Sequence, residues 1–101
     1  MGDGDDILVT ASANLWRGTE AVGGRLTLSR GGLQFRAHAF NVQAEPLEIP
    51  LDEIVAARKT RTMGIIPNGL AVTTKLGLEI RFVVGNRDRF IEEIGKLTAR
   101  S

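Results

Sequence analysis

From Ile7 to Val84 the apolar residues recur mostly at every second position, the spacing of strands with one buried and one wetted face. Leu26 and Leu28 alternate with Arg25, Thr27 and Ser29. Beyond Arg30-Gly31-Gly32, the residues Leu33, Phe35 and Ala37 alternate with Gln34, Arg36 and His38. This pattern predicts a hairpin whose glycines supply the positive-φ turn positions. Leu47, Ile49 and Leu51 alternate with Glu48 and Pro50, and the proline, which has no ladder donor, assigns the segment to an edge or a strand end. Asp52-Glu53 predicts a short turn, Ile54 to Thr60 a further strand, Pro67-Asn68-Gly69 a turn and Leu70 to Thr74 the next strand. Lys75-Leu76-Gly77 closes a second hairpin into Leu78, Ile80, Phe82 and Val84, the most regular alternation in the chain. With an N-terminal strand from Ile7 to Trp16 or beyond, the total is about seven strands.

The period changes at Gly85-Asn86. Phe90, Ile91, Ile94 and Leu97 fall at i, i+1, i+4 and i+7 with Glu92, Glu93 and Lys96 opposite, which predicts a helix with one narrow apolar stripe that must dock. Asn86 suits the N-cap through its side-chain oxygen, and Asp88 suits the positive end of the helix dipole. Gly95 costs such a helix about 1 kcal/mol relative to Ala, so either a strand passes close to it or the helix end frays there. A flat sheet of this many strands leaves long edges. The economical architecture is mainly β with one helix: two packed sheets, or a partly open barrel of about seven antiparallel strands, with the C-terminal α-helix plugging an exposed end of the core.

At 101 residues, 43% hydrophobic and 25% charged, the chain has the composition of one folded domain and of neither a disordered tail nor a membrane span. The absence of Cys excludes disulfides, thiolate nucleophiles and cysteine metal sites. Residues 1–6 hold three acids and no base, where a secretory signal needs a basic start and a long apolar stretch. They are expected to form an acidic disordered tail ahead of a single domain spanning 7–101, in a cytoplasmic protein. Asp6 occupies the position where a myristoylation signal has Ser or Thr. Removing the tail's three acids from the twelve in the chain leaves thirteen bases against nine acids, so the body is near +4 and mildly favours anions.

Several stretches are familiar: Gly24-Arg25-Leu26-Thr27-Leu28-Ser29 with Leu33-Gln34-Phe35-Arg36; Ile49-Pro50-Leu51-Asp52-Glu53-Ile54; Asn68-Gly69-Leu70; and Phe82-Val83-Val84 leading through Asn86-Arg87-Asp88 to Phe90-Ile91. Through them the chain resembles a GRAM domain, a member of the pleckstrin-homology-like (PH-like) superfold, over most of its length. The resemblance implies a seven-stranded barrel of two nearly orthogonal sheets capped by the C-terminal helix. Such a helix often carries Trp where Phe90 stands, a change that still fills an apolar slot. Domains of this superfold bind phosphoinositides, other anionic lipids, peptides or partner proteins, and some only scaffold. From the basic phosphoinositide motif of many pleckstrin-homology domains the chain departs: only Arg17 and Arg25 stand in the comparable stretch, without the closing base two positions on.

The densest basic cluster is Arg58-Lys59-Thr60-Arg61, followed at once by Met63-Gly64-Ile65-Ile66-Pro67. On a solvent-facing loop, Arg58, Lys59 and Arg61 would each attract an anionic headgroup by about 1 kcal/mol while Met63, Ile65 and Ile66 enter the interfacial layer. The competing reading is ordinary packing, in which strand alternation sends Arg58 and Lys59 to opposite faces and the Ile pair covers the core. The resemblance places a second set at the barrel's open end: Trp16 and Arg17, then His38, Phe40 and Val42, then Lys75 and Leu76. Trp16 and Phe40 are either anchors, with Arg17 and Lys75 supplying charge, or core residues.

Other chemistry lacks its partners. His38 is the only imidazole and has no spacing partners for a metal site. Ser12, Ser29 and Ser101 have no paired base, and Asp52-Glu53 and Glu92-Glu93 are adjacent acids that point apart. Gly23-Gly24 and Gly31-Gly32 precede strands and not a phosphate-cradling helix, and Phe35 and Phe82 lie on faces expected to be buried, not on a surface that stacks nucleic acid bases. The expectation is a non-catalytic, cofactor-free GRAM/PH-like interaction module. It would bind an anionic lipid or membrane surface through Arg58, Lys59, Arg61, Ile65 and Ile66, with Arg17 and Lys75, as a cytoplasmic protein peripheral to the inner membrane surface. The alternative is a protein- or peptide-binding or self-associating module that uses an exposed strand edge or a strand–helix groove. No nucleic-acid partner is expected.

Overall fold

The alternating segments form seven antiparallel strands: β1 (Ile7–Arg17), β2 (Glu20–Ser29), β3 (Gly32–Ala37), β4 (Leu47–Pro50), β5 (Ile54–Thr62), β6 (Ile66–Thr74) and β7 (Glu79–Val84). A 3-10 turn at Leu51–Glu53 leads into β5, and the helix α1 (Arg87–Thr98) ends the fold. The computed structural model describes residues 7–38, 46–62 and 66–99; the acidic tail 1–6, Phe40, Val42, Met63 and Ile65 lie outside the described residues.

The strand order is β4-β3-β2-β1-β7-β6-β5 in one hydrogen-bonded sheet. It curls into a partly open barrel, one of the two architectures the alternation allowed and consistent with the PH-like fold that the resemblance implied. Its two halves, β4-β3-β2-β1 and β7-β6-β5, are continuous through the pairs Ala13↔Val84, Asn14↔Val83 and Leu15↔Phe82. The concave face carries the alternating apolar set, with Leu15, Leu26, Leu28, Leu33, Phe35, Ile49, Leu70, Val72, Phe82 and Val84 all buried. Phe35 on β3 meets Phe82 on β7 inside, with ring centroids 5.9 Å apart. Gly24 on β2 makes room for this pair: a Cβ there would stand 2.6 Å from Phe35 Cζ and collide with the Arg36 carbonyl oxygen.

The helix stripe docks as its period requires. Phe90 and Ile94 are buried, Ile91 and Leu97 pack partly against the core, and the helix lies mainly against β5. Asn86 caps α1 through its main chain only, its carbonyl accepting from the amides of Arg89 (3.1 Å) and Phe90 (3.3 Å), while its side chain makes no capping bond. Arginines from the first turn replace that cap as the anchor. Arg87 Nη1 donates to the carbonyls of Thr60 (2.6 Å) and Gly69 (3.2 Å), and Arg89 Nη2 donates to the carbonyl of Leu8 (3.2 Å).

Besides the Asn86 side-chain cap, three expectations change. Pro67-Asn68-Gly69 is not a turn but part of β6, because the ladder steps from Thr60↔Gly69 to Thr62↔Ile66 and leaves Pro67 and Asn68 opposite the single Arg61. This is a β-bulge, where a proline's missing donor is tolerated. Leu78 does not join the buried row of β7: the strand starts at Glu79, and Leu78 is exposed with its amide donated to Thr74 Oγ1 at 3.3 Å. Gly95 has open space around it, so no strand approaches it. It sits on the wetted side of the helix, three residues before the last helical residue, Thr98, and its carbonyl accepts from the amide of the C-cap Ala99.

The two glycines therefore respond in opposite directions to the same change. Gly24→Ala is expected to destabilise the protein by about 1–3 kcal/mol through overpacking against backbone and the Phe35 ring. Gly95→Ala is expected to stabilise it by about 0.5–1 kcal/mol through helix propensity. Urea unfolding of both variants beside the wild type checks this pair of signs.

Candidate functional site

The outer face of the sheet gathers the polar half of the alternation. Across β5, β6 and β7, Arg58 stands opposite Ala71 and Ala71 opposite Arg81, so two arginines flank one small residue. On the neighbouring strand β1, Trp16 also turns outward, since Leu15 beside it is buried and Trp16 is only half-buried. Trp16, Gly18, Thr60, Arg61, Gly69 and Arg81 line a cleft of about 230 Å³. Gly69 forms part of its wall because nothing larger fits: a Cβ there would run into Thr60 Oγ1. The bulge of β6 at Pro67-Asn68 lies directly opposite Arg61, so Arg61 stands where the ladder loses its regular pairing.

The basic cluster of the sequence is split by this geometry. Arg58 pairs with Glu79 on the outer face, and Arg81 Nη2 lies 3.3 Å from the same carboxylate. Lys59 turns the other way and reaches Asp88 of α1 at 3.3 Å. Arg61 is exposed and makes neither an ion pair nor a hydrogen bond among the described residues. Arg58, Lys59 and Arg61 thus do not converge on one ligand; Arg61 alone of the three enters the cleft. The pairs of Arg58 and Lys59 are solvent-exposed, and such pairs contribute about 0–1 kcal/mol, so an incoming anion can exchange with them at small cost.

The other sequence candidates separate as well. Arg17 and Lys75 are both exposed, at the β1–β2 and β6–β7 turns, which the antiparallel β1–β7 pairing brings to the same end of the sheet. Ile66 is 45% exposed at the start of β6, and Ile65 lies outside the described residues. Trp16 is neither core nor a free loop tip but a wall of the cleft. His38 is exposed at the end of β3. Arg81, Gly18 and Gly69 were missed from sequence; the outward phase of Arg81 within the Leu78–Val84 alternation was the available signal for it.

A larger cleft of about 350 Å³ lies beside the β2–β3 turn and β4, but its polar groups are largely satisfied by one another. Thr27 shares a hydroxyl hydrogen bond with Thr10 (3.0 Å), Gln34 Nε2 donates to Glu48 (3.0 Å), and Ser29 Oγ donates to the Gly32 carbonyl (3.4 Å). Among the described residues no three His, Asp or Glu side chains gather in a metal-binding group. No helix among them is long and apolar enough to cross a membrane.

No family model and no curated protein matches the chain. Its fold is similar to that in the crystal structure of the C-terminal domain of an unknown protein from Leishmania infantum. The TM-score is 0.76 at 21% sequence identity, over 90% of this chain and 82% of that one. At that identity the likeness bears on the fold alone.

Trp16 is the only tryptophan, so its fluorescence reports the cleft directly. With Arg61 and Arg81 beside it, the ratio of iodide to caesium quenching is expected to be roughly twice that of free N-acetyltryptophanamide at low salt, because the local potential concentrates anions. Arg61→Ala is expected to lower that ratio without moving the emission maximum, and Stern–Volmer titrations with both ions measure it.

Proposed function

We propose that the chain is a non-catalytic GRAM/PH-like interaction module that takes an anionic lipid headgroup in the cleft between Trp16, Arg61 and Arg81, at a membrane surface. The observation that carries this reading is the unpaired Arg61 guanidinium set beside an indole in a cleft. A guanidinium suits phosphate and carboxylate oxygens, and a half-buried indole suits the boundary between water and acyl chains. Ile66, exposed on the same hairpin, supplies apolar surface next to the charge. The resemblance of several sequence stretches to GRAM domains, together with the partly open barrel, supports the same class.

A second reading, docking of a protein partner or a second copy, is favoured by one observation. Val55 (59% exposed), Leu76 (83%) and Leu78 (57%) lie close together where the β6–β7 turn meets the start of β5, tied by the Lys75 amide donating to the Glu53 carbonyl. Val55 is the extra residue of a bulge on an edge strand.

Co-sedimentation with anionic and neutral vesicles at low and moderate salt separates the two. The lipid reading expects selective, salt-sensitive binding that weakens about fivefold in Arg61→Ala, the loss of one surface-attracted base, and that Lys59→Ala on the opposite face leaves nearly intact. Equal pelleting with both vesicles, or none with either, would remove the lipid reading. Concentration-dependent mass abolished by Leu76→Ser would then favour the second.

A further inference from the structure

Arg25 on β2 and Arg36 on β3 are register partners. Their chain neighbours Gly24, Leu26 and Phe35 are buried, so both arginines turn to the outer face, where both are exposed. Directly opposed residues of adjacent antiparallel strands hold their Cβ atoms about 4.5–5.5 Å apart, and like charges in that arrangement repel. Neither arginine makes an ion pair or hydrogen bond among the described residues. The outward ladder arginines of the other half are treated differently, since Arg58 and Arg81 share Glu79.

Among the described residues, the adjoining rows hold no free acid to relieve the repulsion. The next row toward the β2–β3 turn is Thr27, Gln34 and Glu48, and Glu48 is engaged by Gln34 at 3.0 Å. The row on the other side holds Asn14, Gly23 and His38, where Gly23 presents no side chain and its carbonyl accepts the His38 amide. Ser12 of β1 is the register partner of Arg25 on the side away from Arg36, and it is exposed. One row across three strands therefore reads hydroxyl, guanidinium, guanidinium.

We propose that this row is a second anion site, selective for a phosphate monoester or an equivalent divalent oxyanion. Two guanidinium forks supply planar, paired donors, and a tetrahedral dianion can accept from both while cancelling the charge of each. The Ser12 hydroxyl adds a third donor. Chloride can screen the pair, but it is a single monovalent acceptor and cannot match both forks with paired oxygens. The site is separate from the cleft beside Trp16 and does not depend on it: the rows differ, and the arginines come from the other half of the sheet. The phosphate could be carried in solution or on a lipid headgroup.

The test is an NMR titration of the whole chain with inorganic phosphate against chloride at matched ionic strength, observing the Nε–Hε groups of Arg25 and Arg36. Saturable shifts are expected with phosphate only, weakened roughly tenfold in Arg25→Gln or Arg36→Gln and unchanged in Arg61→Ala. Both glutamine variants alter exposed positions, so unchanged circular dichroism and melting that is not lowered confirm that they remain folded. Shifts that chloride reproduces, or that persist in the glutamine variants, would overturn the proposal. Vesicles containing phosphatidic acid, compared with phosphatidylserine at equal surface charge, distinguish the source. A preference for phosphatidic acid lost in Arg36→Gln supports the site with a lipid-borne phosphate, and phosphate binding without that preference supports it with a soluble one. If Arg61→Ala leaves vesicle binding untouched, the cleft reading fails while the phosphate titration still decides this one.

Discussion

The contact between Phe35 and Phe82 dictates the shape of everything around it. The two rings belong to β3 and β7, three ladder steps apart in the strand order. On a flat sheet three steps span about 14 Å, and side chains standing on one face would never touch. Their centroids lie 5.9 Å apart, so the sheet must curl until its concave face closes on itself. Gly24 is part of the same constraint, because any side chain there would occupy the volume the Phe35 ring takes. Curling has a second consequence: the polar half of every strand is spread over a convex outer wall, and that wall holds both the cleft beside Trp16 and the Arg25–Arg36 row.

The curl is secured at few places. Only three residue pairs join β1 to β7, so the helix contributes to holding the two halves in place. Burial of Phe90 and Ile94 stabilises the docked helix by about 1.5–3 kcal/mol each. The arginines of its first turn then fix its direction. Arg89 takes the carbonyl of Leu8, the extra residue where β1 bulges between Ile7 and Val9, and Arg87 takes those of Thr60 and Gly69 beside the bulge of the β5–β6 pair. Irregular ladder positions and the helix N-terminus are thus matched to one another, carbonyl to guanidinium.

This division explains what was legible in the sequence. Period-two burial needs no knowledge of partners, so the strands, the Leu26–Ala37 hairpin and the helix stripe of Phe90 and Ile94 could be read along the chain. Bulges break that period by one residue and carry no composition of their own. Pro67-Asn68-Gly69 has turn composition, yet it is strand because its irregularity is absorbed opposite Arg61. The site was harder to read for the same reason. Alternation alone already offered opposite faces for Arg58 and Lys59, as the structure has them, whereas Arg81 and Trp16 are distant in sequence and meet Arg61 only through the β1–β7–β6–β5 order. Arg25 and Arg36 each looked like an ordinary wetted position; only the register makes them a pair.

The spacing of the two outer-wall sites decides how they combine. Arg25 stands beside Ser12, and the cleft is built at Trp16, four residues farther along the same strand. That is about 13 Å of extended backbone, beyond the Debye length of about 8 Å at physiological ionic strength. Each site then acts on its own ligand with little help from the other, and selectivity rests on directed hydrogen bonds at each. At about 0.01 M salt the screening length grows to about 30 Å and spans both, so any polyanion would feel Arg25, Arg36, Arg61 and the Arg58–Glu79–Arg81 group together. Binding seen only at low salt would therefore report the summed field of the wall, and binding that survives physiological salt would report the geometry of a site.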